Sequence, residues 1–221
     1  MSDYPFKHIL LATEHTEFDA GAERIAFAMA QRCGIPLRVI LPLLSNTEYE
    51  VEAPQLALRA EQAAAKKLAE LRRNAKEMGV EVDNHVRRGA EIHQEIVAEA
   101  VTSQADLIVI RRRGNPGFLA KLLVGEMVGK VIRDAPCAVL TVPRAAEFWR
   151  HQVLATVSDA PATRRVTELS AKIAAICDMP LTLVSVATDQ AAQAAAEVIN
   201  AEHLVRATVI CPQVQGRVLI G

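Results

Sequence analysis

The sequence predicts a doubly wound α/β fold: a five-stranded parallel sheet with helices on both faces, followed by a partial second copy of the same unit. Three observations carry this expectation. Short apolar runs alternate with amphipathic stretches. The runs are apolar at consecutive positions, as strands buried on both faces require. The opening pattern then recurs from Trp149. The first 143 residues read β-α-β-α-β-α-β-α-β, a spacing that implies parallel strands joined by right-handed crossovers.

The elements follow in order. HILLAT (His8 to Thr13) is the first strand. Asp19 is placed to cap the helix AGAERIAFAMAQRC, in which Ile25, Ala26, Met29 and Ala30 share one stripe. Gly34 stops that helix, and LRVILPL (Leu37 to Leu43) is the second strand. A long Ala-, Leu- and Lys-rich helix runs from about Gln55 to Met78, with Gly79 as its stop. VEVDNHVRR alternates as a third strand, and EIHQEIVAEAVTS forms a helix with Ile92, Ile96 and Val97 facing inward. ADLIVIR is the most apolar strand, EMVGKVIRDA a short helix, and CAVLTV (Cys137 to Val142) the last strand.

An internal repeat then begins, and repeats must be recognised before a fold is assigned. FKHILLAT at Phe6 is matched by WRHQVLAT at Trp149, an offset of 143. CGIPLRVI at Cys33 is matched by CDMPLTLV at Cys177, an offset of 144, which one inserted residue in the strand-to-helix loop would explain. QGRVLIG at the end resembles DNHVRRG. The expected domains are residues 1–143, a linker over 144–150, and a partial second repeat over 151–221. The second repeat holds counterparts of three strands and none of residues 90–143, and it is expected to pack on the first repeat or on a neighbouring chain.

Composition narrows the function. A formal net charge of −1 over 221 residues supplies no global field toward nucleic acid or acidic membranes. Aromatic residues are only 4% of the chain, too few for a base-stacking platform. No apolar run is long enough for a signal peptide or a membrane span, so a cytoplasmic location is expected. Cys33, Cys137, Cys177 and Cys211 are widely spaced and read as buried, reduced thiols. The histidines form no metal-ligand motif, and no metal is expected.

The segments HILLATEHTEFDAGAERIAFAMA, ADLIVI, the glycine loop after Arg111 and VIRDAPCAVLTVP together resemble the universal stress protein family. The resemblance covers residues 6–143, and residues 149–221 look like half of a second, tandem copy. It implies the strand order 3-2-1-4-5 and a site for ATP in those members that bind it. Their pattern is G-x2-G-x9-G-[ST], with an aspartate after the first strand. Carried over, the aspartate becomes Glu14, the first glycine Arg111, the second Gly114, the third Gly125 and the hydroxyl residue Glu126; ten residues, not nine, separate the last two glycines.

With that strand order, ligands collect where the order reverses, between the first and fourth strands. Glu14 lines one side of this crevice, and the loop from Arg111 to Gly114 lines the other. A helix starting near Glu126 aims its free N–H groups there. A nucleotide needs a close backbone approach, free donors for phosphate and room for a ribose. Arg111 conflicts with the first and third needs. Glu126 conflicts with the second, because its carboxylate supplies the negative charge that phosphate would bring. Arg111 is therefore expected to plug the crevice, bridging Glu14 and Glu126. Two alternatives stay open: an anion clamp of Arg111, Arg112, Arg113 and Lys121, and a functional adenine-nucleotide site.

No catalytic arrangement emerges from spacing. Lys66, Lys67, Arg72 and Arg73 are interleaved with Glu61, Glu70 and Glu77, the pattern of a solvated helix face with i,i+4 ion pairs. Arg87 to Gly89 reads as a strand end, and Glu91 with Glu95 as surface carboxylates. The expectation is a non-enzymatic protein of stress response or regulation that acts by protein association. The alternative is an ATP- or AMP-binding switch, or a weak ATPase. The last strand is expected at a sheet edge, so a homodimer through residues 137–143 is expected too, with Pro143 limiting the ladder.

Overall fold

A computed structural model of the chain describes residues 4–45, 54–112, 126–187, 191–208 and 213–220. It divides into two compact units, Phe6–Phe148 and a second from Trp149 onward. In the first, β1 (Ile9–Ala12), β2 (Leu37–Leu44), β3 (Val82–Gly89), β4 (Leu107–Arg111) and β5 (Ala138–Val142) form one parallel sheet. Their order is β3-β2-β1-β4-β5. The four connecting helices are α1 (Ala20–Cys33), α2 (Pro54–Glu77), α3 (Ile92–Thr102) and α4 (Glu126–Asp134).

β1 lies at the centre, with Ile9 opposite Leu37 on one side and Leu107 on the other. That position explains why all four of its residues are buried. Leu10, Ala12, Ile108 and Ile110 pack on one face against Ile96 and Ala100 of α3 and Val128 and Val131 of α4. Burying each such large aliphatic side chain stabilises the fold by about 1.5–3 kcal/mol. α1 buries the expected stripe of Ile25, Ala26, Met29 and Ala30. It ends at Gly34, whose φ of 63° and N–H bonds to the Ala30 and Gln31 carbonyls make a left-handed cap.

Four expectations are corrected. Asp19 stands at the start of α1, but its carboxylate makes no capping bond to that helix. α3 turns His93, Ile96, Glu99 and Ala100 inward, while Val97 is half-buried. Glu99 tolerates burial because Arg38 Nε and Arg87 Nε donate to its two oxygens at 2.7 and 2.6 Å. The charged residues of α2 reach other elements: Lys67 donates to the Glu14 carbonyl at 2.8 Å, and Glu61 pairs with Arg88. Cys33, Cys137 and Cys177 are free but half-buried. Residues 144–148, read as a linker, lie against α1. Gly21 packs on the carbonyls of Pro143 and Arg144, Arg24 donates to the Ala146 carbonyl at 2.5 Å, and Arg32 sits 3.8 Å over the Phe148 ring.

The second unit holds β6 (Val153–Thr156), α5 (Thr163–Ile176), β7 (Leu181–Ala187), α6 (Ala191–Thr208) and β8 (Val214–Ile220). Its parallel sheet has the order β6-β7-β8, leaving β6 at an edge. Val153 pairs with Leu181 as Ile9 pairs with Leu37, so each strand is displaced by 144 residues. Gly34 and Asp178, both left-handed after their helices, are also 144 apart. The structural repeat therefore keeps one offset. The letters LAT in the two first strands lie one residue out of step, and no loop insertion is needed.

Candidate functional site

β1 and β4 lie side by side, and Ile110 faces Ala12. Successive side chains on a strand point to opposite faces. Ile110 thus joins the core beneath α3 and α4, and the next residue, Arg111, turns to the α1 side. Arg111 is 6% exposed. Its Nη2 lies 3.1 Å from Glu14 Oε2, and its Nη1 lies 3.3 Å from Asp19 Oδ2 and 3.2 Å from Thr16 Oγ1. Arg112 is exposed, and its N–H donates to the Val142 carbonyl at 2.7 Å. Consecutive arginines thus point to different environments.

The loop between β1 and α1 is built to present Asp19. Thr16 donates to Asp19 Oδ2 from its backbone N–H at 3.0 Å and from its hydroxyl at 2.6 Å. The Asp19 N–H returns to the Thr16 carbonyl at 2.9 Å. Asp19 is only 1% exposed and so needs the positive charge of Arg111. Beside it, Glu23 Oε1 accepts from Thr13 Oγ1 at 2.7 Å and lies 2.9 Å from His15 Nδ1. His15 sits at φ 49°, and its N–H donates to Thr13 Oγ1. Here the hydroxyl proton faces a carboxylate and not the imidazole, so these three do not form a nucleophile–base pair.

Of the predicted site residues, the structure brings Glu14 and Arg111 together. Glu126 begins α4 as expected, but its side chain is 87% exposed and pairs with Lys130 Nζ at 3.4 Å. The second carboxylate on Arg111 is Asp19, not Glu126. Asp19 and Thr16 were missed because Asp19 also suits a helix cap; the T-x-x-D spacing that locks the loop was the available signal. Gly114, Gly125, Arg113 and Lys121 lie outside the described residues. The cavity left among Ala12, Glu14, Pro42, Ile96, Arg111 and Met127 measures about 10 Å³, about the volume needed to hold one water.

A model of the universal stress protein family matches residues 5–143. The chain belongs to this family. A universal stress protein of Thermus aquaticus is 32% identical over 143 residues, which is 62% of this chain and 98% of the relative. Among solved structures, a universal stress protein from Archaeoglobus fulgidus matches 97% of this chain and 78% of its own, with a TM-score of 0.72 and 16% identity. A universal stress protein in complex with cAMP matches 63% of this chain and 99% of its own, with a TM-score of 0.52 and 20% identity. At these identities the solved structures establish the fold. The universal stress protein fold places its strand-order reversal at the ends of β1 and β4, where Glu14 and Arg111 meet. Among the described residues no helix is long and apolar enough to cross a membrane.

Proposed function

We propose that this universal stress protein acts in stress response or regulation through protein association, with its nucleotide crevice closed by Arg111. The observation that carries this reading is the buried guanidinium shared by Glu14 and Asp19. A relative was captured with cAMP, so the comparison that matters is whether such a ligand fits here. On this reading it does not. Arg111 takes the space, and phosphate would approach two carboxylates whose one counter-charge is already engaged. The proposed working surface is instead β5, at the edge of its sheet, where pairing with a second copy would extend the ladder. Pro143 limits that ladder at its end.

The test is a thermal-shift series with ATP, ADP, AMP and cAMP. The wild-type protein should show no shift, and Arg111→Gly should gain one. Light scattering should give twice the 24.0 kDa chain mass. A saturable wild-type shift would favour the second reading, an adenine-nucleotide switch or weak ATPase that uses Gly114 and Gly125.

A further inference from the structure

We propose a separate small-molecule site in the second unit, a cleft between α5 and α6 that takes a neutral polyhydroxylated ligand of about monosaccharide size. The cleft has a volume of about 550 Å³, within the range of small-molecule sites. It opens beside Ser158 and Asp159, which follow β6, and is walled by Thr163 and Thr167 of α5 and by Glu197 and Asn200 of α6. This is the carboxyl end of a parallel sheet, the end at which ligands collect in open α/β folds.

Thr167 carries the inference. Its hydroxyl is fully buried, yet it has no hydrogen-bond partner among the described residues. A helical threonine ordinarily returns its hydroxyl to the carbonyl one turn earlier. Thr102 does so with Ala98 at 2.9 Å, and Thr208 with Leu204 at 2.7 Å. Thr167 does not, so a buried polar group at the wall of a cleft is left unsatisfied, at a cost to the free protein.

The internal repeat accounts for this vacancy. At the offset of 144, Thr167 corresponds to Glu23, Val157 to Thr13 and Asp159 to His15. In the first unit Glu23, Thr13 and His15 close the same corner on one another. In the second unit Val157 brings no hydroxyl and Asp159 is exposed, so the corner stays open above Thr167.

The lining chemistry selects the ligand. Asp159 and Glu197 are acidic. Arg164 is 78% exposed and engaged with Glu168 at 2.9 Å. That balance disfavours a phosphate, and no aromatic ring lines the cleft for a base to stack on. Glu197 is oriented by Ser185 Oγ at 2.8 Å and Gln193 Nε2 at 3.4 Å. Ser158, Thr163 and Asn200 both donate and accept, and such groups match adjacent hydroxyls on a sugar ring.

The experiment uses the full chain with glucose, myo-inositol and glucose 6-phosphate as probes, followed by saturation-transfer NMR and calorimetry. Glucose or myo-inositol should bind without competition from ATP. Thr167→Val should weaken that binding roughly tenfold while raising the melting temperature of the free protein by about 2 °C, because the orphaned hydroxyl is gone. Asn200→Leu, at an exposed helix position, should abolish binding without lowering stability. No binding of any probe up to about 10 mM, or binding of glucose 6-phosphate alone, overturns the proposal. A Thr167→Val variant that binds sugar normally overturns it as well. The outcome is independent of whether Arg111 closes the other crevice.

Discussion

The turn after β1 and the turn after β6 occupy the same place in two copies of one repeat, and each leads into a helix of 14 residues. In the first copy every polar group described above is engaged: Thr13 and His15 with Glu23, Thr16 with Asp19, and Arg111 with Glu14 and Asp19. In the second copy Ser158 and Thr163 bond one another, and Thr167 bonds nothing described. The difference follows from what stands beyond the first strand. β1 has β4 as a neighbour, and β4 delivers Arg111; β6 has a described neighbour on one side only. Gly21 tells the same story. It packs under the carbonyls of Pro143 and Arg144, whereas its counterpart 144 residues on is the exposed Arg165. A repeat retains its backbone register while its side chains adapt to whatever crosses it.

The largest expected effect comes from making the first corner resemble the second. Arg111→Leu leaves Asp19 buried without its counter-charge and should cost about 4 kcal/mol in urea unfolding. Adding Asp19→Asn should recover part of that loss; full additivity would show that the pair is not coupled.

Glu99→Gln comes next, at about 3 kcal/mol, because two arginines lose their shared partner. Burial raises the Glu99 pKa, but hydrogen bonds from Arg87 and Arg38 outweigh it, and the net shift is downward. A carboxyl with a lowered folded pKa contributes its full stability above the ordinary value of 4.5. It loses that stability as pH falls through the folded value. The difference between wild type and Glu99→Gln should therefore be constant near neutrality and shrink in acid; a gap that widened in acid would refute the assignment.

Gly21→Ala should cost about 2 kcal/mol, since the new methyl meets backbone oxygens that cannot swing aside. Arg165→Ala, at the matching position of the second unit, should change stability by less than about 0.5 kcal/mol. Equal effects at the two positions would break the comparison. Smallest of all, Glu126→Ser should alter stability by under about 0.5 kcal/mol, because its pair with Lys130 is exposed.

The sheet was legible because buried parallel strands write themselves as unbroken apolar runs, as ADLIVI does. The strand order came from family resemblance, which periodicity alone does not contain. The meeting of Glu14 with Arg111 was legible from strand adjacency, since both stand where neighbouring strands end. Asp19 was not, because a residue that suits a helix cap gives no sign that a loop will turn it toward an arginine 92 residues away. Glu99 was hidden for a related reason. A carboxylate on the inner face of a helix reads as an error in the pattern until its two arginines arrive from other strands. Likewise LAT in both first strands suggested an offset that hydrogen bonding moves by one residue, because similar letters do not fix register.

Calorimetric titration of ATP and cAMP into the wild-type full chain tests the closed crevice most directly. With Arg111 held between Glu14 and Asp19, neither nucleotide should give a saturable heat. Stoichiometric binding of either at micromolar affinity, abolished by Gly114→Val, would show that the crevice is open and that Arg111 serves the ligand instead of replacing it.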